Sequence, residues 1–301
     1  MDTPHKNIHL LVNPVSGWGK GVEVAEQLRR RFQARGVACH EMRTRRRGHA
    51  TELVRRAVED GAEAMVVCGG DGTVHEAVQS LAHREVCMIP APAGRCNDFG
   101  LALGLDHDLD AVVDAVLAGK TRRWDLVKVN GRYFCTVGAV GFDAVVSRYV
   151  DEMKTPLRGK PAYIYGLLRV LTHYQAPRVN LTWDHGEYQG PMFMAAVGNT
   201  ATYGGAIPVV PMARADDGML DICLVAGPVG FMRVVGLLPK IMRGKHGEAR
   251  EVEFLRSTKV TIESHSPVEL WAEGEPVAST PLRIEVAPAS LWVADPGNGS
   301  K

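Results

Sequence analysis

The first third of the chain alternates short apolar runs with stretches in which apolar residues recur every third or fourth position. Ile8 to Val12 predicts a buried strand. Val22 to Ala34 predicts a helix, with Val24, Leu28 and Phe32 on one face at four-residue spacing. Val37 to Arg43 predicts a second strand and Ala50 to Glu59 a helix. Ala64 to Cys68 predicts a third strand, Val74 to Ala82 a helix, and Val86 to Ile89 a fourth strand. Alternation at this spacing predicts a parallel sheet covered by helices.

After about Asp125 the strand-like segments arrive in pairs. Asp125 to Val129 and Tyr133 to Val137 flank Asn130-Gly131, a dipeptide suited to a type I′ hairpin turn. Further strands are predicted at Arg178 to Trp183, Met192 to Val197, Leu220 to Val225, Lys259 to Glu263, Val268 to Trp271 and Leu282 to Val286. Helical patterns interrupt them near Ala162 to His173 and Phe231 to Met242. This half reads as a mostly antiparallel β domain. The length of 301 residues agrees with two domains at about 150 residues each.

The balance of 35 Lys+Arg against 34 Asp+Glu excludes a general nucleic-acid coat and leaves room only for local patches. Six dispersed cysteines without a CxxC pair predict free thiols in a reducing compartment and no zinc site. The polar Met1 to Asn7 carries no signal-peptide pattern. The longest apolar stretch, Leu220 to Met242, is broken by Asp221, Arg233 and Lys240, so no spanning helix is expected. A cytoplasmic protein follows, with membrane contact limited to the inner face.

Three loops carry candidate chemistry. Gly69-Gly70-Asp71-Gly72-Thr73 stands between a strand and a helix. Adjacent glycines permit a tight turn, and the helix N-terminus suits a phosphate. An ordinary strand–turn–helix junction is the plainer alternative. Asn13 to Gly21 follows the first strand but matches neither GxxxxGK[ST] nor GxGxxG. Pro92 to Phe99 follows the fourth strand. Loops leaving one edge of a parallel sheet can converge on one ligand.

Asn13-Pro14 with Ser16-Gly17, the GGDGT box, and Asn97-Asp98-Phe99 in this order resemble the diacylglycerol kinase catalytic-domain family in its bacterial soluble lipid-kinase form. Sphingosine and ceramide kinases are related to it. The resemblance continues through Gly138 to Ala144, Gly198 to Asp221 and Trp271 to Glu275, and so spans essentially the whole chain. GGDGT alone also occurs in NAD kinases and, in related form, in phosphofructokinases.

The resemblance implies an α/β plus β architecture. A Rossmann-like parallel-sheet domain would occupy 1–127, with a returning strand at about 288–301 that includes Ser290 to Ala294. A mostly antiparallel β-sandwich domain would occupy 128–287. ATP is expected between the domains, contacted by Asn13, Ser16, Gly17, Thr44, Gly69, Gly70, Asp71, Gly72, Thr73, Glu76 and Asn97, with Arg95 and Glu275 counted in the same set. Asp71, Asp98 and Asp125 match a charged network acting through water and Mg²⁺. Arg214 to Asp221 resembles a structural Mg²⁺ loop with ligands from the Asp217 carboxylate and the carbonyls of Arg214 and Met219; a polar Asp-Gly turn is the alternative. The implied reaction is phosphorylation of a lipid hydroxyl, such as that of diacylglycerol, at the membrane surface, without nucleic acid. A homodimer is left open.

Two positions depart from the family pattern. Its proposed general base is the Asp of an Asp-Gly-Glu triplet, which here is Glu273-Gly274-Glu275. Glu and Asp have similar reference pKa values, so reach distinguishes them, not basicity. Arg95 stands where relatives usually have Thr. These departures keep open a nucleotide- or lipid-binding pseudokinase, and the shared GGDGT box keeps open an NAD-kinase-type small-molecule kinase. Arg45 to Arg47 either attract phosphate or anionic lipid or form a solvated loop. The apolar residues of Tyr163 to Val170 and Phe231 to Met242 fit a lipid access path, but packing on the sandwich core is the simpler reading.

Overall fold

The computed structural model describes residues 5–105, 108–152 and 160–296. They form two compact units. The first takes the chain through Leu126, the short segment Gly204–Ala206, and the chain from Pro288 onward. The second holds Val127–Tyr203 and Ile207–Ala287. Residues 297–301 of the expected returning segment lie outside the described residues.

The first unit runs β1 (Ile8–Val12), α1 (Lys20–Ala34), β2 (His40–Arg43), α2 (His49–Glu59), β3 (Ala64–Gly69), α3 (Asp71–Leu81), β4 (Cys87–Pro92), α4 (Asp98–Leu103), α5 (Leu109–Ala118) and β5 (Thr121–Val129), whose last three residues belong to the second unit. Strands β2, β1, β3 and β4 pair in that order, all parallel. Every residue of β1, β3 and β4 is buried, as expected of strands covered on both faces. Helix α1 turns Gly21, Ala25, Leu28 and Phe32 inward, while Val24 is only partly covered. Asp108 caps α5 by accepting from the amides of Asp110 and Ala111 at 2.9 and 3.1 Å.

The second unit adds β6 (Arg132–Phe134), β7 (Val137–Gly141), α6 (Phe142–Asp151), α7 (Lys160–Leu171), β8 (Arg178–Trp183), β9 (Gly186–Gly198), β10 (Leu220–Ala226), α8 (Phe231–Ile241), β11 (Val252–Ser257), β12 (Lys259–Ser264), β13 (Glu269–Ala272), β14 (Glu275–Ser279) and β15 (Leu282–Ala294). Val129 opposes Arg132 across Asn130-Gly131, whose φ values of 48° and 89° are those of a type I′ turn. Strand β15 crosses from one unit to the other. Its Leu282–Glu285 segment pairs antiparallel with β12, and Val293 lies parallel to Met88 of β4.

Strand β9 explains the sandwich. Its first half, Gly186–Pro191, pairs with β8, which pairs with β12. Its second half pairs with β7 on one side and β10 on the other. Side chains alternate faces along a strand. Ala195 and Val197 therefore enter the inter-sheet core with Leu181, Ile222, Leu224, Ile262 and Leu270, while Ala196 enters an outer cluster with Cys223, Val225 and Phe193. That outer cluster is covered by α6 through Phe142 and Val146, α7 through Val170 and Leu171, and α8 through Val234. The core reading of α7 and α8 thus holds for one face of each. Ile164 and Leu168 of α7, and Phe231, Met232, Val235 and Leu238 of α8, are exposed.

None of the six cysteines is in a disulfide. Burial pushes the thiols of Cys87 and Cys223 up to about 12, which keeps them protonated and unreactive. No helix among the described residues is long and apolar enough to cross a membrane.

Candidate functional site

In the first unit the loops after β1, β3 and β4 interlock through contacts that leave no room for side chains. A Cβ on Gly17 would stand 1.9 Å from the carbonyl oxygen of Ala93, and one on Gly94 2.4 Å from the Cα of Gly70. Gly17 also has φ 56°, a left-handed conformation that glycine adopts without strain. Polar bonds knit the same loops. Asn13 Nδ2 donates to Thr73 Oγ1 at 3.0 Å, and the amide of Ala93 donates to the carbonyl of Gly69 at 3.0 Å. A Cβ on Gly70 would stand 3.1 Å from the Cα of Gly94 and 3.4 Å from Ser16 Oγ.

Asp71 is the centre of this network. Its Oδ2 accepts from the amide of Asn97 at 2.9 Å and its Oδ1 from that of Asp98 at 2.7 Å. The Asn97 side chain turns back on its own loop. Its Oδ1 accepts from the amide of Gly94 and its Nδ2 donates to the carbonyl of Gly94. Asn97 itself is left-handed, with φ 55°, which Asn tolerates better than most residues. Asp98 is buried and accepts from the amides of Gly204 and Gly205 at 2.7 and 2.8 Å. Asp125, also buried, accepts from the amide of Ala289 at 2.7 Å. Each carboxylate of the expected charged network thus fastens a loop of this unit by its backbone.

These bonds bear on the implied Mg²⁺. Ligand atoms of Asp71, Cys96 and Asp98 lie within 4.8 Å of one another. The two carboxylates of Asp71 and Asp98 are hard oxygen donors of the kind that suits a hydrated Mg²⁺. The soft sulfur of Cys96 does not suit that ion.

Other expected contacts stand at the margin. The amide of Thr44 donates to the carbonyl of Val12 just past β2. The Glu76 carboxylate accepts from the amides of Gly48 and Ala50 at 2.7 and 2.9 Å, placing negative charge at the N-terminus of α2. Gly72 lies in the first turn of α3. Arg95 is exposed, with its guanidinium 5.7 Å from the indole centroid of Trp18, a residue that is itself exposed at the tip of the first loop. Of the basic run, Arg46 pairs with Glu52. A recess of about 540 Å³ adjoins Gly94, lined by Lys20, Gln27, Arg31 and Leu109 among others.

In the second unit Glu273-Gly274 forms the two-residue turn between β13 and β14, with φ values of 57° and 77°. The half-buried Glu273 reaches across to the segment between β6 and β7. Its Oε1 accepts from the amides of Cys135 and Thr136 at 2.8 and 2.9 Å, from Thr136 Oγ1 at 3.1 Å, and from Cys135 Sγ at 2.9 Å. Glu275 opposes Ala272 at the base of the turn.

The Arg214–Asp221 loop is tied by protein groups. Asp217 Oδ1 accepts from the amide of Met219 at 3.2 Å, and Oδ2 pairs with Arg256. Arg256 also pairs with Asp221 at 3.2 Å, and Arg214 pairs with Asp216 at 3.4 Å. Burial holds the Asp221 carboxyl above the usual range, Arg256 opposing and Asp217 adding to the shift. Its buried Oδ2 has no hydrogen-bond partner. That orphaned oxygen fits a small cation or water, but the Arg256 guanidinium already supplies positive charge to both carboxylates.

One cluster escaped the sequence reading. Asp143, the second residue of α6, is buried between tyrosines. Its carboxylate accepts from Tyr203 and, at 3.2 Å, from Tyr163, whose hydroxyl also meets Ser147 Oγ at 2.9 Å. Burial raises Asp143 to about 6, the two tyrosines acting in the opposite direction. The available signal was an acid between Phe142 and Ala144 at a strand–helix junction. Arg256 and the Gly204-Gly205 amides gave no comparable signal.

Comparison with known proteins adds to this geometry. The family described as Diacylglycerol kinase catalytic domain matches residues 7–129, and the YegS C-terminal NAD kinase beta sandwich-like domain matches residues 136–295. The chain is 33% identical to a Mycobacterium tuberculosis protein named diacylglycerol kinase, over 96% of this chain and 95% of the relative. It is 27% identical to a Staphylococcus epidermidis protein of the same name, over 90% and 86%. A crystal structure of a Bacillus anthracis diacylglycerol kinase superposes with a TM-score of 0.71 at 22% identity, covering 97% of each chain, and shares the fold.

Proposed function

This chain belongs to the diacylglycerol kinase family and is a lipid kinase, and from that premise we propose that it transfers the γ-phosphoryl of ATP to the hydroxyl of a membrane lipid such as diacylglycerol, giving phosphatidic acid. The supporting observation is the interlock of three glycine-bearing loops around Asp71. Backbone packed this closely presents fixed amides and no side chains, which suits a polyphosphate.

In this reading Asn13, Ser16, Gly17, Gly69 to Thr73, Arg95 and Asn97 hold the nucleotide. Asp71 and Asp98 would hold its Mg²⁺, and that ion would supply neutralisation of charge on the phosphates. Phosphoryl transfer asks little covalent chemistry of a protein, so positioning dominates. Asp71 keeps the second and third loops in register, and Asp98 and Asp125 fasten the segments beside them. Glu273 accepts the proton of the lipid hydroxyl. Four donors on its Oε1 fix the position of the side chain. The enzyme works on the inner face of the membrane, where its acceptor is found.

The test is phosphorylation by the purified full chain with ATP and Mg²⁺, offered diacylglycerol, sphingosine, ceramide and NAD⁺ in parallel. Phosphate appearing on diacylglycerol bears out the reading, and turnover of NAD⁺ alone overturns it. Glu273→Gln should abolish turnover while ATP affinity, read by calorimetry, stays within about twofold. Retained turnover removes Glu273 from the role of base.

A further inference from the structure

Helix α8 carries two apolar faces where packing uses one. Val234 and Leu237 are buried, Val234 against the outer cluster of the second unit. Phe231, Val235, Leu238 and Met242 recur at helical spacing on another face, and all are exposed. Met232, 77% exposed, and Met242, 62% exposed, are the most open of these side chains. Helix α7 packs on the same cluster through Val170 and Leu171 and repeats the pattern, with Ile164 and Leu168 exposed one turn apart. Soluble monomers seldom leave large apolar side chains exposed in such rows, and rows of this kind mark interaction surfaces.

Charge identifies the partner. Helix α8 contains no acidic residue. The segment 231–251 carries Arg233, Lys240, Arg243, Lys245 and Arg250 against Glu248 and Glu251. Both acids are engaged inside the protein, Glu248 by Lys240 and Glu251 by Arg233 and Arg250. Arg243 and Lys245 stand exposed beyond them, directly after Met242. An apolar row ending in exposed cations matches the interior and the headgroups of an anionic bilayer. Long basic side chains reach headgroups while their stems stay with the apolar residues.

We propose that α8 is a membrane-docking helix that inserts Phe231, Met232, Val235, Leu238 and Met242 at the surface of an anionic bilayer, with Arg243 and Lys245 on its headgroups. This deepens the reading of the chain as a lipid kinase and rests on it for the choice of a lipid partner.

The test is cosedimentation of the full chain with large unilamellar vesicles of equal parts phosphatidylglycerol and phosphatidylcholine, compared with phosphatidylcholine alone. Wild type should partition onto the mixed vesicles, more weakly onto the neutral ones. The double variant Met232→Glu with Met242→Glu should lose at least about tenfold in partitioning. Both positions are exposed, so folding should survive; circular dichroism and an unchanged rate on short-chain diacylglycerol dispersed without vesicles check it. Undiminished partitioning of the variant, or none by the wild type, overturns the proposal. So does a wild-type dimer that the variant converts to monomer, because a second copy would then cover the row. Partitioning is read without turnover. A protein that docks through α8 yet phosphorylates no lipid upholds the surface and overturns only the kinase substrate.

Discussion

Replacing Asp143 with Asn tests the electrostatics of the second unit most directly. Burial raises this carboxyl from 3.8 to about 6 even though Tyr203 and Tyr163 donate to it. A carboxyl whose pKa is higher in the folded state holds its proton longer there than in the unfolded chain. Between about pH 4 and 6 the folded state therefore binds more protons, and stability falls as pH rises through that window. The distance from 3.8 to about 6 corresponds to about 3 kcal/mol, reached in full above pH 6. Asn keeps an acceptor for Tyr163 and cannot ionise. The stability of Asp143→Asn relative to wild type should thus rise by about 3 kcal/mol from pH 4 to pH 7 and then stay level. Urea unfolding of both proteins across this range measures it. Taking the difference at each pH cancels every other titrating group, and following tyrosine and tryptophan fluorescence separately reveals whether the two units unfold apart. A difference that stays flat from pH 4 to pH 7, or that moves in favour of wild type, would refute the assignment of a buried, proton-holding carboxyl.

Three further outcomes follow from contacts in the two units. Gly94→Ala places a methyl 2.4 Å from Gly70 Cα and 2.8 Å from Asn97 Oδ1, so it should destabilise by about 1–3 kcal/mol in thermal unfolding and weaken ATP in calorimetry. Glu76→Ala removes the acceptor for two amides at the start of α2; a loss of about 1 kcal/mol with ATP affinity unchanged would assign Glu76 to the helix alone, whereas lost affinity would keep it with the nucleotide. Arg256→Met withdraws the cation shared by Asp217 and Asp221, so without nucleotide its Tm should rise with added Mg²⁺ while the wild-type Tm does not move; equal responses would show that the loop takes the metal regardless of Arg256.

Much of the fold was legible because it follows from local pattern. The unbroken runs at β1 and β3 are buried on both faces, and Asn130-Gly131 makes the turn its chemistry favours. What was hidden depends on partners distant in sequence. Gly186 to Pro191 is too polar to read as strand, yet it forms the first half of β9 because β8 offers it a full ladder. Pro288-Ala289 reads as a break between two strands. Strand β15 runs through it, with Ala289 at φ 49° and its amide fixed on Asp125. The glycine loops were visible as motifs, but their interlock was not. Nothing in the Gly94 neighbourhood of the sequence names Gly70 as the atom pair that forbids a side chain.

Glu273 shows most clearly how far local reading reaches. Asn or Asp before glycine suits a type I′ turn because each tolerates the left-handed region, and Glu gains no such local bond. Glu273 nevertheless holds φ 57°. The compensation lies 138 and 137 positions away in sequence, in the two amides, the hydroxyl and the thiol of Cys135 and Thr136. An aspartate in the same turn would be one methylene shorter and would reach those donors only if the backbone moved. The Glu-for-Asp departure and the unfavourable turn conformation therefore have one cause: the longer side chain is anchored by its outer oxygen, and the anchor holds the turn. An Asp variant should relax the turn and release the anchor together, so its effects on stability and on turnover need to be read from the same preparation.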